Sequence, residues 1–303
     1  MTLDKRIENE ISELITSGKI AAAQKLCSVI KSDSELSSLS FQGLPSFYFG
    51  NRGAETVMVN LNPGESVIEN EKKWKGEHGK VGKRELLPDI PTPGDIEKFI
   101  SQYHKDQKEF AKHGYKTDSF DVKQAAFLAP WKNNGIAGLP NNPDWSDKDV
   151  QSVAAQSVVL NKLQLELLPY ASAKFDLDPK GDIKLLFPYI ETLLDEICAK
   201  DRSYVVFASS KFEYLFKHYN KITHTDTFTF GELYNPEPSL KQMHDGTEGK
   251  LRVRCRVIWI HYQGKKQQAL IAHTFPSQGL GRAYDLMQTY GKLCYEQWCH
   301  HVK

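Results

Sequence analysis

The sequence predicts an α/β protein, an open and mainly parallel sheet flanked by helices. Three observations carry that reading. Short apolar runs at residues 56–61, 163–168, 204–208 and 268–272 have the length and composition of buried strands. Helical patterns at 184–200 and 211–219 alternate with them, as in a parallel sheet covered on both faces. Three of the strands also stop at turn segments: Asn62-Pro63-Gly64, Pro169-Tyr170, and His273-Thr274-Phe275-Pro276-Ser277. In open α/β sheets ligands bind beyond the carboxyl ends of the strands. The three turns are therefore expected to gather at one rim, around a space for a single planar ligand.

The 303 residues allow one large or two ordinary domains. An apolar content of 40% and a charged content of 25% are those of a globular protein. The net charge of +1 gives no global basic signal, so a nucleic-acid partner must be argued from local patches. The five cysteines, Cys27, Cys198, Cys255, Cys294 and Cys299, form no CxxC pair and read as reduced thiols. The polar start MTLDKRIENE lacks the apolar stretch of a signal peptide, and no run reaches the ~20 residues of a membrane span. A cytoplasmic monomer is the expectation. P-loop, GxGxxG and HExxH patterns are absent, so kinase, dinucleotide and zincin chemistry lack support.

Residues 1–40 read as a helical N-terminal extension. Leu3, Ile7, Ile11, Leu14 and Ile15 fall at helical spacing, Gly18 separates two helices, and 32–40 is a serine-rich joint. Residues 41–303 read as the α/β domain, with insertions at about 70–160 and 220–250. The first insertion is rich in Lys, Pro, Gly and Asn and shows one helix, about 95–112, entered through Pro93-Gly94-Asp95. It also holds Lys72, Lys73, Lys75, Lys80, Lys83 and Arg84 around Trp74, either a base-stacking contact or a loop with one anchoring aromatic. A long strand at 251–262 turns at Gln263-Gly264 into 268–272, and a last helix covers about 281–298.

Three motifs bear on chemistry. The segment VMVNLNPGES, 57–66, ends a strand in Asn62-Pro63-Gly64. An asparagine there can orient a water, and a Pro-Gly turn lets backbone approach a ligand closely. The segment HTFPSQGLGR, 273–282, follows the last strand, and LQLELLPY, 163–170, ends in Pro169-Tyr170. Together these resemble the active-site motifs of the mismatch-specific and single-strand-selective branches of the uracil-DNA glycosylase superfamily, over about 56–66, 160–215 and 265–298. The chain departs from the pattern at four places. Asn60 stands where the family usually has Gly, Glu166 where the base-reading Asn falls, Phe275 at the usual His position, and Gln278 as an extra residue. No cysteine pattern matches the iron-sulfur branches.

The resemblance implies a uracil-DNA glycosylase-like fold and a monofunctional DNA N-glycosylase that needs no metal or organic cofactor. By it, Asn62 positions the attacking water and His273 stabilises the departing base. Glu166, Pro63, Gly64 and Tyr170 hold the flipped base. Ser277 contacts a phosphate and Leu280 enters the vacated stack, with Gln278, Gly279 and Arg282 beside them on the DNA-binding loop. An ionised Glu166 offers only acceptors and suits the exocyclic amine of a cytosine-type base; burial could instead protonate it. Alternation over 163–168 also allows Glu166 to face solvent and pair with a lysine. A modified cytosine would fit defence against phage DNA, by analogy alone. A catalytically silent nucleic-acid-binding module on the same fold, and a nucleoside or nucleotide N-glycosidase, stay open.

Lys250, Arg252, Arg254 and Arg256 alternate with apolar residues, which would put four cations on one strand face. That pattern suits a phosphate track on single- or double-stranded DNA, or an edge strand guarded against aggregation.

Overall fold

The computed structural model describes residues 1–17, 21–30, 45–61, 95–109, 119–131, 143–170, 175–236, 240–244, 247–251, 253–275 and 283–301. Its main feature is a seven-stranded sheet in the order β1-β3-β2-β4-β9-β8-β5. The strands are β1 (Tyr48–Gly50), β2 (Thr56–Asn60), β3 (Lys162–Glu166), β4 (Tyr204–Phe207), β5 (Phe228–Tyr234), β8 (Cys255–Tyr262) and β9 (Lys265–Ala272). A separate two-stranded ladder pairs β6 (Leu240–His244) with β7 (Thr247–Leu251). The helices are α1 (Leu3–Ser17), α2 (Ala21–Leu26), α3 (Ile96–Glu109), α4 (Ser119–Leu128), α5 (Lys148–Asn161), α6 (Phe187–Ile197), α7 (Lys211–Thr223) and α8 (Tyr284–His300). None of these helices is long and apolar enough to cross a membrane.

The expected α/β class holds, but the sheet is mixed rather than mainly parallel. β2, β4 and β9 are parallel neighbours, whereas β8 runs antiparallel to both β9 and β5. The cause is local. Gln263 and Gly264 both take positive φ, 48° and 75°, and turn β8 directly into β9. A two-residue loop of this kind matches the strand twist, and it leaves no length for the crossover that parallel pairing requires.

The chain divides into two compact units. The first comprises Met1–Phe49, Asn60–Phe110 and Leu165–Ala199. In it α1 packs on α3 and α6 through Leu3, Ile7, Ile11, Leu14 and Ile15, the apolar positions that the sequence shows at helical spacing. Arg6, on the same buried face and 4% exposed, donates to Thr192 Oγ1 (2.7 Å), Glu10 Oε1 (3.1 Å) and the Pro188 carbonyl (2.8 Å), and lies over the Tyr189 ring at 4.3 Å. This ties the N-terminal helix to α6 through a fully partnered cation.

The second unit comprises Gly50–Val59, Ala111–Gln164 and Lys200–Lys303. Its core joins strands β4, β8 and β9 to α4, α5 and α8, with Phe127, Trp131, Phe275, Met287 and Tyr290 buried at the centre. Helices α4 and α8 meet closely: a Cβ on Gly291 would lie 1.9 Å from the Phe127 carbonyl oxygen. The stretch expected as an insertion therefore contributes two central helices besides α3. Their signal is weak because they are enclosed on several sides. Ala125, Ala126, Ala154 and Ala155 are buried, and so are Asp121, Lys123 and Gln124, which blurs any apolar stripe. Asp147 starts α5 by accepting from the Asp149 and Val150 amides at 2.8 and 3.4 Å. The second expected insertion, 220–250, likewise holds β5, β6 and most of β7.

Candidate functional site

The strand order turns back at β2. From β2 the chain goes to β3 on one side, and later to β4 on the other. The Leu167 and Leu168 amides donate in step to the Asn60 and Leu61 carbonyls, both at 2.9 Å, so β3 leaves the sheet alongside β2 in the same direction. Such a switch point is where open α/β sheets present their ligand crevice.

Two polar side chains stand at these strand ends, both within the first unit. Asn60 Nδ2 donates to Glu166 Oε1 at 3.2 Å. Glu166 is only 3% exposed, which overturns the alternative of a solvent-facing carboxylate; β3 is flanked by β1 and β2 and is buried on both faces. Asn60 is 7% exposed, and its Oδ1 makes no hydrogen bond. The amide orientation follows from chemistry, because an oxygen turned toward the carboxylate would be repelled. The arrangement is a carboxylate held by a donor, with an unsatisfied carbonyl oxygen beside it. Buried oxygens of this kind call for a hydrogen-bond donor. These are also two of the four positions at which the chain departs from the resembling motifs, and they touch each other.

Tyr170, expected to hold a base, is enclosed in the first unit. Its hydroxyl donates to Glu10 Oε2, so neither its ring nor its polar edge is presented to a ligand. Burial pushes the Glu10 carboxyl above its ordinary value despite the pull of Tyr170 and Arg6. Burial and the Glu10 charge push Tyr170 far up as well. Asn62, Pro63, Gly64, Ser277, Gln278, Gly279, Leu280, Arg282 and the lysine cluster around Trp74 lie outside the described residues.

In the second unit His273 follows the end of β9, and its amide donates to the Arg254 carbonyl at 3.0 Å. The His273 side chain is 3% exposed, and Nε2 lies 2.7 Å from Glu213 Oε2 on α7. The ring is not aligned for a hydrogen bond to that oxygen, and neither ring nitrogen has a hydrogen-bond partner. Arg256 Nε reaches the same oxygen at 3.2 Å, and Lys217 Nζ binds Oε1. Burial lowers His273 to about 4; Glu213 pulls upward, and Arg254 and Arg256 add to the lowering. Burial raises the Glu213 carboxyl, but Lys217, Arg256 and His273 outweigh it and its net shift is downward. At neutral pH the pair is a neutral imidazole against a carboxylate.

The expected four-cation strand face does not form. Lys250 lies on β7 and Arg256 on β8, which belong to different sheets, and Arg254 precedes β8. Arg252 and the Lys250 side chain lie outside the described residues. The strand expected at 251–262 is interrupted because residues 247–251 pair with β6 in a hairpin of their own. Arg256 is committed to Glu213 and, at 2.7 Å, to the Gly231 carbonyl. A phosphate track along one strand has no support among the described residues.

Sequence reasoning missed two residues of these sites. Asn60 had a signal, since it replaces the usual Gly of the motif it resembles. Glu213 had none: it sits in an ordinary amphipathic helix, and only the fold brings it to His273. No protein-family model, no curated protein and no solved structure matches this chain.

Proposed function

We propose that the chain is a DNA N-glycosylase that hydrolyses the bond between deoxyribose and a flipped, modified base of the cytosine type. One observation carries the reading: the buried Asn60–Glu166 pair at the carboxyl ends of β2 and β3, at the strand-order reversal. A purely structural strand end would be filled with apolar side chains, because a buried carboxylate is costly unless bonded. Here Asn60 holds Glu166 as an acceptor, and the Asn60 Oδ1 adds a second acceptor. Acceptors side by side fit an amino-bearing base edge and disfavour the carbonyl O4 of uracil.

Asn62 follows two residues after Asn60 and orients the attacking water. Asparagine is a poor base, so the C1′–N bond opens toward an oxocarbenium-like sugar before the water loses its proton. The electron pair leaves with the base, the water oxygen bonds to C1′, and the proton passes to solvent or to the base. Modified cytosines mark phage DNA, which would make defence the biological setting.

The test uses the full chain and duplex or single-stranded DNAs carrying uracil, cytosine, hydroxymethylcytosine or glucosylated hydroxymethylcytosine, followed by alkaline cleavage of abasic sites. Breaks at a cytosine-type base that vanish in Asn62→Ala support the proposal. Breaks at uracil alone overturn the role of Glu166. Breaks on none, with DNA retained in a gel shift, replace the enzyme by a binding module. Base release from nucleosides but not from DNA replaces it by a nucleoside N-glycosidase.

A further inference from the structure

We propose that the outward side of α7 is a docking surface for single-stranded nucleic acid, on which lysines take the phosphates and Tyr214 stacks on a base. Helix α7 keeps Phe212, Leu215, Phe216 and Tyr219 in the core. There Phe212 and Phe216 pack on Phe207, and Phe216 stacks on Phe228. The opposite side follows from the helical repeat. It carries Lys211, Tyr214, Lys217, His218 and Lys221; Tyr214, Lys217 and Lys221 are exposed, and Lys211 and His218 are half-buried. From Lys211 to Lys221 the helix rises about 15 Å, room for several phosphates of one strand.

The charge on this side has one sign. Glu213 is the only acid of α7, and it faces away from the strip, bound by Arg256 Nε at 3.2 Å and by Lys217. Arg256 alone balances that carboxylate, so the Lys217 charge is in excess, and the Lys217 side chain is 53% exposed. The exposed Asp226 lies beyond the end of the helix. Among these cations Tyr214 is 45% exposed. The His218 ring backs it, with centroids 4.0 Å apart and a tilt of 39°, and His218 Nδ1 is held 2.9 Å from the Tyr214 carbonyl. An aromatic ring supported from one side and flanked by lysines has the make-up of a stacking platform within a phosphate-binding track.

Nucleic acid fits this surface better than other anionic partners. A lipid surface calls for large apolar side chains on the outward side, and the phenylalanines and leucine of α7 are buried in the core. An acidic protein segment satisfies the lysines and leaves Tyr214 without a planar partner. The surface lies wholly in the second unit, and it supplies the phosphate contacts that residues 250–256 do not provide as one face. Its service to base excision rests on the glycosylase reading; the binding of a strand does not. The experiment measures fluorescence anisotropy of labelled oligothymidylate with the full chain over a range of salt. The wild type is expected to bind at low salt and to lose affinity as salt rises. In Lys211→Gln/Lys217→Gln/Lys221→Gln the slope of log affinity against log salt is expected to flatten by about 2, from roughly 0.7 for each single-strand phosphate contact. Tyr214→Ala is expected to weaken binding at least about fivefold with the slope unchanged, and Tyr214→Phe to restore it.

No binding of oligothymidylate by the wild type, or a wild-type slope in the triple variant, overturns the proposal. So does polyglutamate that displaces the oligonucleotide at equal charge, which points to an acidic protein segment instead. Should the triple variant not fold, Lys211→Gln/Lys221→Gln leaves the Lys217–Glu213 pair in place and is expected to flatten the slope by about 1.4. The expected slopes together with no base release from any DNA remove the glycosylase reading and keep the surface. Base release from single-stranded DNA with KM unchanged in the triple variant keeps the glycosylase reading and removes the surface.

Discussion

Replacing Arg6 by methionine removes the guanidinium but keeps the apolar reach of the side chain. The loss can be worked from its contacts. Glu10 stays buried and loses its ion pair at 3.1 Å, keeping Tyr170 as a donor, and Thr192 Oγ1 and the Pro188 carbonyl lose a bonded cation. Breaking a buried pair by removing one partner costs about 3–5 kcal/mol. The sign of the pH dependence follows from Glu10, whose pKa already lies above 4.5 and loses the lowering influence of Arg6. The folded variant therefore holds a proton that the unfolded chain does not. Its stability rises as pH falls from above that raised pKa toward 4.5, so the cost is largest at neutral pH and smallest near pH 4.5. Urea unfolding followed by far-ultraviolet circular dichroism at both pH values measures it. The double variant Arg6→Met/Glu10→Leu is expected to recover most of the loss, because no unpaired charge is then buried. A single-variant loss under about 1 kcal/mol, or a double variant no better than the single, would show that Arg6 does not hold α1 by neutralising Glu10.

Further predictions concern packing, selectivity and acid stability. Gly291→Ala places a methyl group against the Phe127 carbonyl and should cost at least ~3 kcal/mol, since backbone on both helices must move; an unchanged thermal melt would show the helix contact to be wrong. Asn60→Ala should cost about 1–3 kcal/mol and weaken the preference for amino-bearing over keto bases; a variant with the selectivity intact would separate Asn60 from base reading. Because the folded-state pKa of His273 is depressed to about 4, its contribution to stability is lost as pH falls from about 6.5 toward 4 and levels off below. Glu213, also depressed, adds a loss at lower pH as it is protonated. His273→Gln should flatten the part between 6.5 and 4, and a pH–stability curve parallel to that of the wild type over this window would count against a buried neutral imidazole.

The parts of the fold that were legible are those where one local property dominates. The runs at 56–61, 204–208 and 268–272 are apolar enough to read as strands, although β9 begins three residues earlier in a polar stretch, and Leu3, Ile7 and Ile11 mark α1 by spacing alone. The turn at Gln263-Gly264 was visible, yet its consequence for strand direction was outweighed by the alternation of strands and helices elsewhere. Helices α4 and α5 escaped because alanines and buried polar residues leave no stripe to detect. Alternation makes Arg254 and Arg256 look like part of one charged face, but it reports only a strand's two sides and says nothing about where a strand begins. Glu166 shows the same limit: its sequence neighbours permitted either side, and burial was decided by β1 and β2 flanking β3. Glu213 lies beyond any local reading, since its partner His273 is brought to it only by β9 and α7.

The pairing of β2 with β3 has a consequence for how the molecule assembles. Asn60 and Glu166 are 106 residues apart, while β8 and β9 are joined by two residues and can zip together at once. Closing a long loop is entropically slow, so the hairpin should gain amide protection early and the β2–β3 seam late. The proposed ligand site would then mature after the hairpin, and a ligand bound there would report that the β2–β3 seam has closed.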